Sequence, residues 1–330
     1  MKKKRTIALS KLFCLGLSLI AFTSCSTRVG QENVTYSKSY KVEEKLLQAE
    51  VLSSSEDLYG AYGLFYVDDN HLLIRFLQDN FFGIWNVDEA RIECKFLRKG
   101  RGPGEFLSVS TPHPRYGDNG EILLDILSNS SIITVDYTSV LKGNTDYIVN
   151  MIDRESLAKE GKLYSSYLME DNILSLVNGD QDICSFKLIR LKDGKILKTY
   201  PVAYLFEGDA TNMDFSNDDL LKPDRSKLAL LMYKFNKILV FDVEEGSYFC
   251  IETNREDDAV YDYGTCSDRY IYAFYGPKNG RKEIHMFDWE GNFIKVLDTN
   301  YDLMDISVNA NDTYLYALTD DNKMLAFNLE

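Results

Sequence analysis

An all-β fold of six repeated four-stranded units is predicted by three observations. One short motif recurs six times at intervals of 40 to 55 residues, a second apolar strand precedes each copy, and long amphipathic helical periods are missing. The composition agrees, with 22 Tyr, 18 Phe and only 6 Pro among 330 residues, because aromatic residues favour pleated, half-buried strands. Four-stranded units of this length arranged around an axis make a six-bladed β-propeller.

The motif is an apolar strand closing on a large residue, then Asp or Asn, another apolar residue and a turn. It reads Trp85-Asn86-Val87, Val135-Asp136-Tyr137, Phe241-Asp242-Val243, Phe287-Asp288-Trp289 and Phe327-Asn328-Leu329, with a degenerate copy at Arg190–Gly194. The preceding strands are Leu72–Ile74, Ile122–Leu124, Ile173–Ser175, Leu228–Leu230, Ile271–Ala273 and Leu315–Ala317. A further strand follows most copies, at Arg91–Leu97, Lys195–Tyr200, Ser247–Thr253 and Asn292–Leu297. Asp193-Gly194 and Glu290-Gly291 supply hairpin turns, since glycine takes the positive φ they need. The last copy stops at Glu330 after its third strand, so an N-terminal strand from within Val34–Leu52 is expected to complete that blade and remove a sheet edge. Only residues 41–50 and 151–161 have a pattern fit for a helical turn or two.

The N-terminus reads as an export signal. Lys2, Lys3, Lys4 and Arg5 precede an apolar stretch, Leu12–Phe22, that is too short to cross a bilayer. Phe22-Thr23-Ser24-Cys25 resembles a bacterial lipobox, with Phe and Ser in place of the commoner residues. The expectation is a signal peptide at 1–24, lipid attachment at Cys25, a polar tether over 25–39 and the propeller over 40–330. Such a chain is anchored to a membrane without spanning it. By analogy with Gram-negative lipoproteins, Ser26 in place of Asp implies the outer membrane. Ser26–Glu32 lacks the acidic cluster that accompanies surface export, which leaves the periplasmic and outer faces both open.

Without the leader, 32 basic residues face 51 acidic ones, a net charge of −19. That charge argues against nucleic acid as a partner and suits neutral or cationic ligands. Cys94, Cys184, Cys250 and Cys266 lack metal-type spacing. A Cys250–Cys266 bridge is one alternative, and four buried thiols are the favoured one.

Behind the first blade stands Arg98-Lys99-Gly100-Arg101-Gly102-Pro103-Gly104-Glu105-Phe106. The Gly-x-Gly-Pro-Gly-Glu-Phe string, inside a six-unit β repeat and behind a lipobox, resembles the TolB-like six-bladed propeller lipoproteins of Bacteroidetes. The resemblance covers the mature chain and implies fold and envelope location; it assigns no activity. Physically the string is a tight turn between blades, and the alternative is an anion-binding loop framed by Arg98, Lys99 and Arg101.

Candidate chemistry centres on the channel. Asp214, Asp262 and Asp305 stand between apolar residues in expected inner strands, where three carboxylates converging on a channel would suit Ca2+. The favoured alternative has each Asp bonding backbone N–H groups of the neighbouring blade. His113, between Pro112 and Pro114, is a further candidate facing the channel. Asn217-Asp218-Asp219 reads as a hairpin turn. No catalytic elbow or zinc signature is present in the sequence. The chain is therefore expected to be a monomeric module that binds a glycan, peptide or envelope protein. A channel-centred, metal-dependent hydrolase or lyase of the lactonase-like propeller type is the alternative.

Overall fold

A computed structural model describes residues 31–36, 44–54, 56–117, 119–157, 161–178, 184–201, 218–232, 236–253, 260–276 and 283–330. Three N-terminal strands come first: β1 (Gln31–Tyr36), β2 (Glu44–Leu46) and β3 (Ala49–Ser53). Blade 1 follows as β4 (Ala61–Asp68), β5 (His71–Phe76), β6 (Asn80–Asn86) and β7 (Arg91–Arg98). Blade 2 contains β8 (Val109–Tyr116), β9 (Ile122–Ser128), β10 (Ser131–Asp136), a short helix α1 (Tyr137–Leu141) and β11 (Ile148–Asp153). Blade 3 is β12 (Lys162–Met169), β13 (Asn172–Asn178), β14 (Cys184–Arg190) and β15 (Ile196–Pro201). Blade 4 is β16 (Asp218–Leu221), β17 (Lys227–Met232), β18 (Lys237–Asp242) and β19 (Tyr248–Thr253). Blade 5 is β20 (Val260–Cys266), β21 (Tyr270–Gly276), β22 (Glu283–Asp288) and β23 (Phe293–Asp298). Blade 6 ends the chain with β24 (Leu303–Val308), β25 (Tyr314–Thr319) and β26 (Met324–Asn328).

The molecule is a six-bladed β-propeller of four-stranded antiparallel blades. Its ring is closed by β3, which pairs antiparallel with β26 as the fourth strand of blade 6. The closing strand is thus Ala49–Ser53 and not the Val34–Tyr36 stretch. That stretch lies in β1, which adds in parallel to β19 on the rim of blade 4. Residues 31–36 of the expected polar tether thus form a strand. β2 adds in parallel to β23 in the same way, so blades 4 and 5 have five strands. The free outer edges of β19 and β23 explain both additions, because an unpaired edge is a template for another strand. Within the two stretches given a helical alternative, 41–50 and 151–161, residues 44–46 and 49–50 are in strands and Glu155–Leu157 is a single 3-10 turn.

The recurring Asp or Asn has one job. Asp242 Oδ1 accepts the Glu245 N–H at 2.8 Å, Asn86 Oδ1 that of Glu89 at 2.8 Å, and Asp288 Oδ1 that of Asn292 at 2.8 Å. Each side chain closes the turn from third to fourth strand, as such residues do by mimicking a backbone turn. In blade 2 the same position caps a helix, with Asp136 Oδ1 accepting from the Ser139 N–H at 3.1 Å. Gly194 and Gly291 hold positive φ, at 65° and 85°.

Apolar packing divides into six clusters, one at each boundary between blades. Leu228 and Leu230 face blade 3, while Ala229 and Leu231 face blade 5. A strand buried on both faces shows a continuous apolar run, which is why the second strand of each unit stands out in the sequence.

Candidate functional site

Inner strands β4, β8, β16, β20 and β24 line a cavity of about 600 Å3 in the central channel. Its wall runs past the C-terminal ends of these strands, through Tyr116, Pro223, Asp268 and Ala310. The Pro112 and Pro114 rings are tolerated in β8 because an innermost strand is a sheet edge.

Acidic residues from three blades line this space. Asp305 lines it, and both its oxygens are engaged by backbone: Oδ2 accepts the Leu64 N–H at 2.7 Å, and Oδ1 its neighbour Ile306 N–H at 2.9 Å. Asp218 makes the matching contact between blades 4 and 5, with Oδ2 accepting the Gly264 N–H at 2.9 Å. A hydroxyl repeats the pattern, since Ser307 Oγ accepts the Tyr66 N–H at 2.6 Å and Thr265 Oγ1 that of Val308 at 3.4 Å. Inner strands are thereby laced blade to blade by side chains that also face the channel.

Burial, with the charges of Asp305 and Asp219 beside it, pushes the Asp218 carboxyl well above the usual carboxylate range. Burial likewise pushes Asp219 up to about 6, against the opposing pull of Tyr167 and Arg75. His113 Nε2 lies 3.8 Å from Asp219 Oδ2, and its ring meets the Tyr167 ring edge-on at 5.6 Å. Burial and the Arg225 charge hold His113 down to about 3, so it is neutral at physiological pH.

Arg225 reaches furthest. From the turn between β16 and β17, with left-handed backbone (φ 61°), it donates Nη1 to the Leu168 carbonyl of blade 3. Its Nη2 donates to the His113 carbonyl at 3.3 Å and to Asp125 Oδ2 at 2.8 Å, both in blade 2. Asp125, 2% exposed, also accepts from Arg115 Nε at 2.8 Å and Thr134 Oγ1 at 2.8 Å. One arginine therefore ties three blades around a carboxylate that two guanidinium groups neutralise.

The residues singled out from sequence are distributed differently. His113 and Asp305 share the cavity wall. Asp262 occupies the bulge between Tyr261 and Gly264 and does not line the cavity. Asp214 and Cys25 lie outside the described residues. Asp218 and Asp219 are not a hairpin turn; they belong to the inner strand β16. The sequence held the signal, because Asp218 stands 24 residues before Asp242, close to the 23 between Asp305 and Asn328. Arg75, Asp125 and Arg225 carried no such signal, since their roles depend on contacts between blades.

The glycine-rich loop leads into the N-terminal end of β8, opposite the strand ends where Pro223 and Asp268 extend the cavity wall. Glu105 folds back into it, with Oε2 accepting the Gly102 N–H at 2.8 Å and Oε1 3.5 Å from Arg98 Nε. A Cβ at Gly100 would stand 1.9 Å from Glu105 Oε2. The loop thus seats a carboxylate of its own. Lys99 Nζ donates to the Leu77 carbonyl at 3.3 Å, and Arg101 is exposed. None of Arg98, Lys99 and Arg101 lines the cavity.

Cys250 and Cys266 are free thiols. Burial pushes Cys250 up to about 12, and Cys266 Sγ donates to the Leu221 carbonyl at 3.4 Å in the cavity wall. Among the described residues, no group of three or more His, Cys, Asp or Glu side chains is placed to hold a metal ion. No helix among them is long and apolar enough to cross a membrane.

No family model matches the chain, and no curated protein matches it in sequence. Solved structures do share its fold. A luciferin-regenerating enzyme superimposes with a TM-score of 0.52 at 11% identity, covering 86% of this chain and 95% of that one. The calcium-binding protein regucalcin from Agrobacterium tumefaciens gives 0.51 at 11% identity, covering 86% and 94%. The β-propeller domain of Cps50 (Swd1) from Myceliophteria thermophila gives 0.51 at 11% identity, covering 82% and 96%. At this identity the likeness defines a class, the β-propellers, and carries fold alone.

Proposed function

We propose that this propeller is a binding module whose channel takes a compact polar ligand bearing an amine. It is held at a bacterial outer membrane by lipid on Cys25, within the TolB-like group that the Gly100–Phe106 string resembles. The observation that carries the ligand reading is the pair Asp218 and Asp219, two carboxylates driven upward in one buried cavity with Asp305 beside them. A cation placed among them relieves that penalty and favours their ionised forms. A volume of about 600 Å3 suits an amino sugar, a polyamine or a short peptide.

Calorimetry with glucosamine, putrescine and Ala-Ala tests the reading. At least one is expected to bind at pH 7.5, more weakly at pH 5 where Asp219 is protonated, and not to Asp219→Asn. Heat that is absent throughout, or undiminished in the variant, overturns it. Lipid attachment is tested separately by the intact mass of the membrane-extracted protein against Cys25→Ala.

The alternative, a channel-centred metal-dependent hydrolase or lyase, has the fold likeness to the calcium-binding protein regucalcin in its favour. Against it stands the donor set: Ca2+ takes six to eight oxygens, and the Asp305 oxygens already receive backbone N–H groups.

A further inference from the structure

We infer that the mouth of the channel cavity faces the membrane; the inference rests on lipid attachment at Cys25 and goes beyond it by fixing which face is presented. The cavity lining continues past the C-termini of the inner strands at Pro223, Asp268 and Ala310, and we take that end as its mouth. Four strands alternate in each blade, so the turns from first to second and from third to fourth strand share that end. Contacts between blades agree: Arg269 Nε donates to Asp312 Oδ2 at 2.9 Å, and Lys227 Nζ lies 3.2 Å from Glu290 Oε1, joining turns of neighbouring blades on this face.

β19 begins at this face with Tyr248, just after the third-to-fourth turn of blade 4. β1 runs parallel to it, with Gln31 opposite Tyr248. The chain therefore leaves the ring at its mouth face. Only residues 26–30 separate Gln31 from Cys25, and the six Cα–Cα steps between them span at most about 21 Å. A lipidated Cys25 holds the mouth rim within that reach of the bilayer, while the face bearing the Gly100–Phe106 loop points away. The partner surface is the lipid headgroup layer, and ligands reach the channel through the gap between them.

Energy transfer from dyes on two faces of one blade tests this. Asn311→Cys marks the first-to-second turn of blade 6, and Asp320→Cys the second-to-third turn on the opposite face. Each lipidated, full-length variant is labelled and reconstituted in phosphatidylethanolamine–phosphatidylglycerol vesicles carrying a headgroup acceptor, with unsubstituted protein as the labelling blank. Strands of six to eight residues separate the faces by roughly 20–25 Å, so transfer at Asn311→Cys is expected to exceed that at Asp320→Cys about twofold or more. Equal transfer, or greater transfer at Asp320→Cys, overturns the orientation. Loss of transfer at both sites, with no lipid mass on the protein, overturns the attachment reading and the orientation with it.

Discussion

Asp305, in the last blade, accepts the backbone N–H of Leu64, in the first, at 2.7 Å. The bond crosses the boundary where the ring closes. It sits on the cavity wall, so one carboxylate serves architecture and site together. Asp305→Ala strands the N–H groups of Leu64 and Ile306, each costing about 1–3 kcal/mol when left unsatisfied. Denaturant unfolding is expected to show a loss of about 2–4 kcal/mol, with Asp305→Asn, which keeps one acceptor oxygen, losing less.

Arg225→Met removes one of the two guanidinium groups from Asp125 and cuts the tie to Leu168 and His113. Breaking a buried ion pair on one side costs about 3–5 kcal/mol. Arg115 remains in place, so the lower end is expected, read as a fall in the urea midpoint.

Two groups in contact predict opposite pH dependences. The folded-state carboxyl of Asp219 sits at about 6, above its unfolded value. Its contribution to stability is full below about pH 4 and is lost as pH rises through 6. His113 is held down to about 3; its contribution is full above about pH 6.5 and is lost as pH falls. Relative to the parent, Asp219→Asn should therefore show a more positive slope of stability against pH between 4 and 6.5, and His113→Gln a more negative one. Above pH 6, Asp219→Asn should gain up to about 3 kcal/mol over the parent. Unfolding at half-unit pH steps checks all three.

Gly100→Ala places a methyl group against the Glu105 carboxylate. Gly104 lies at φ 74° with open space around it, so Gly104→Ala meets only backbone strain, about 1 kcal/mol. The larger loss is expected at Gly100→Ala, and Glu105→Ala should reduce the difference between them. Thermal unfolding of these variants separates the two effects.

Most of the ring was legible in the sequence because its signals are local. Asp242 and Asn86 announce turns that they themselves close, and Leu228–Leu230 announces a strand buried on both faces. The site was less legible. Asp262 fits the spacing of an inner-strand acid, but a bulge between Tyr261 and Gly264 shifts it off the cavity. Asp218 and Asp219 read as a turn because Asn-Asp-Asp favours one, yet pairing with Leu231 and Leu230 makes them a strand. Arg225 could not be placed from sequence, since its partner Asp125 lies 100 positions away in another blade.

The central claim, a lipid-anchored propeller with an occupied channel, is tested most directly by native mass spectrometry of the full chain extracted from its own membranes. The account predicts a lipid mass on Cys25 and a small-molecule adduct that Asp219→Asn loses. A bare chain, or an adduct unchanged in that variant, would contradict it.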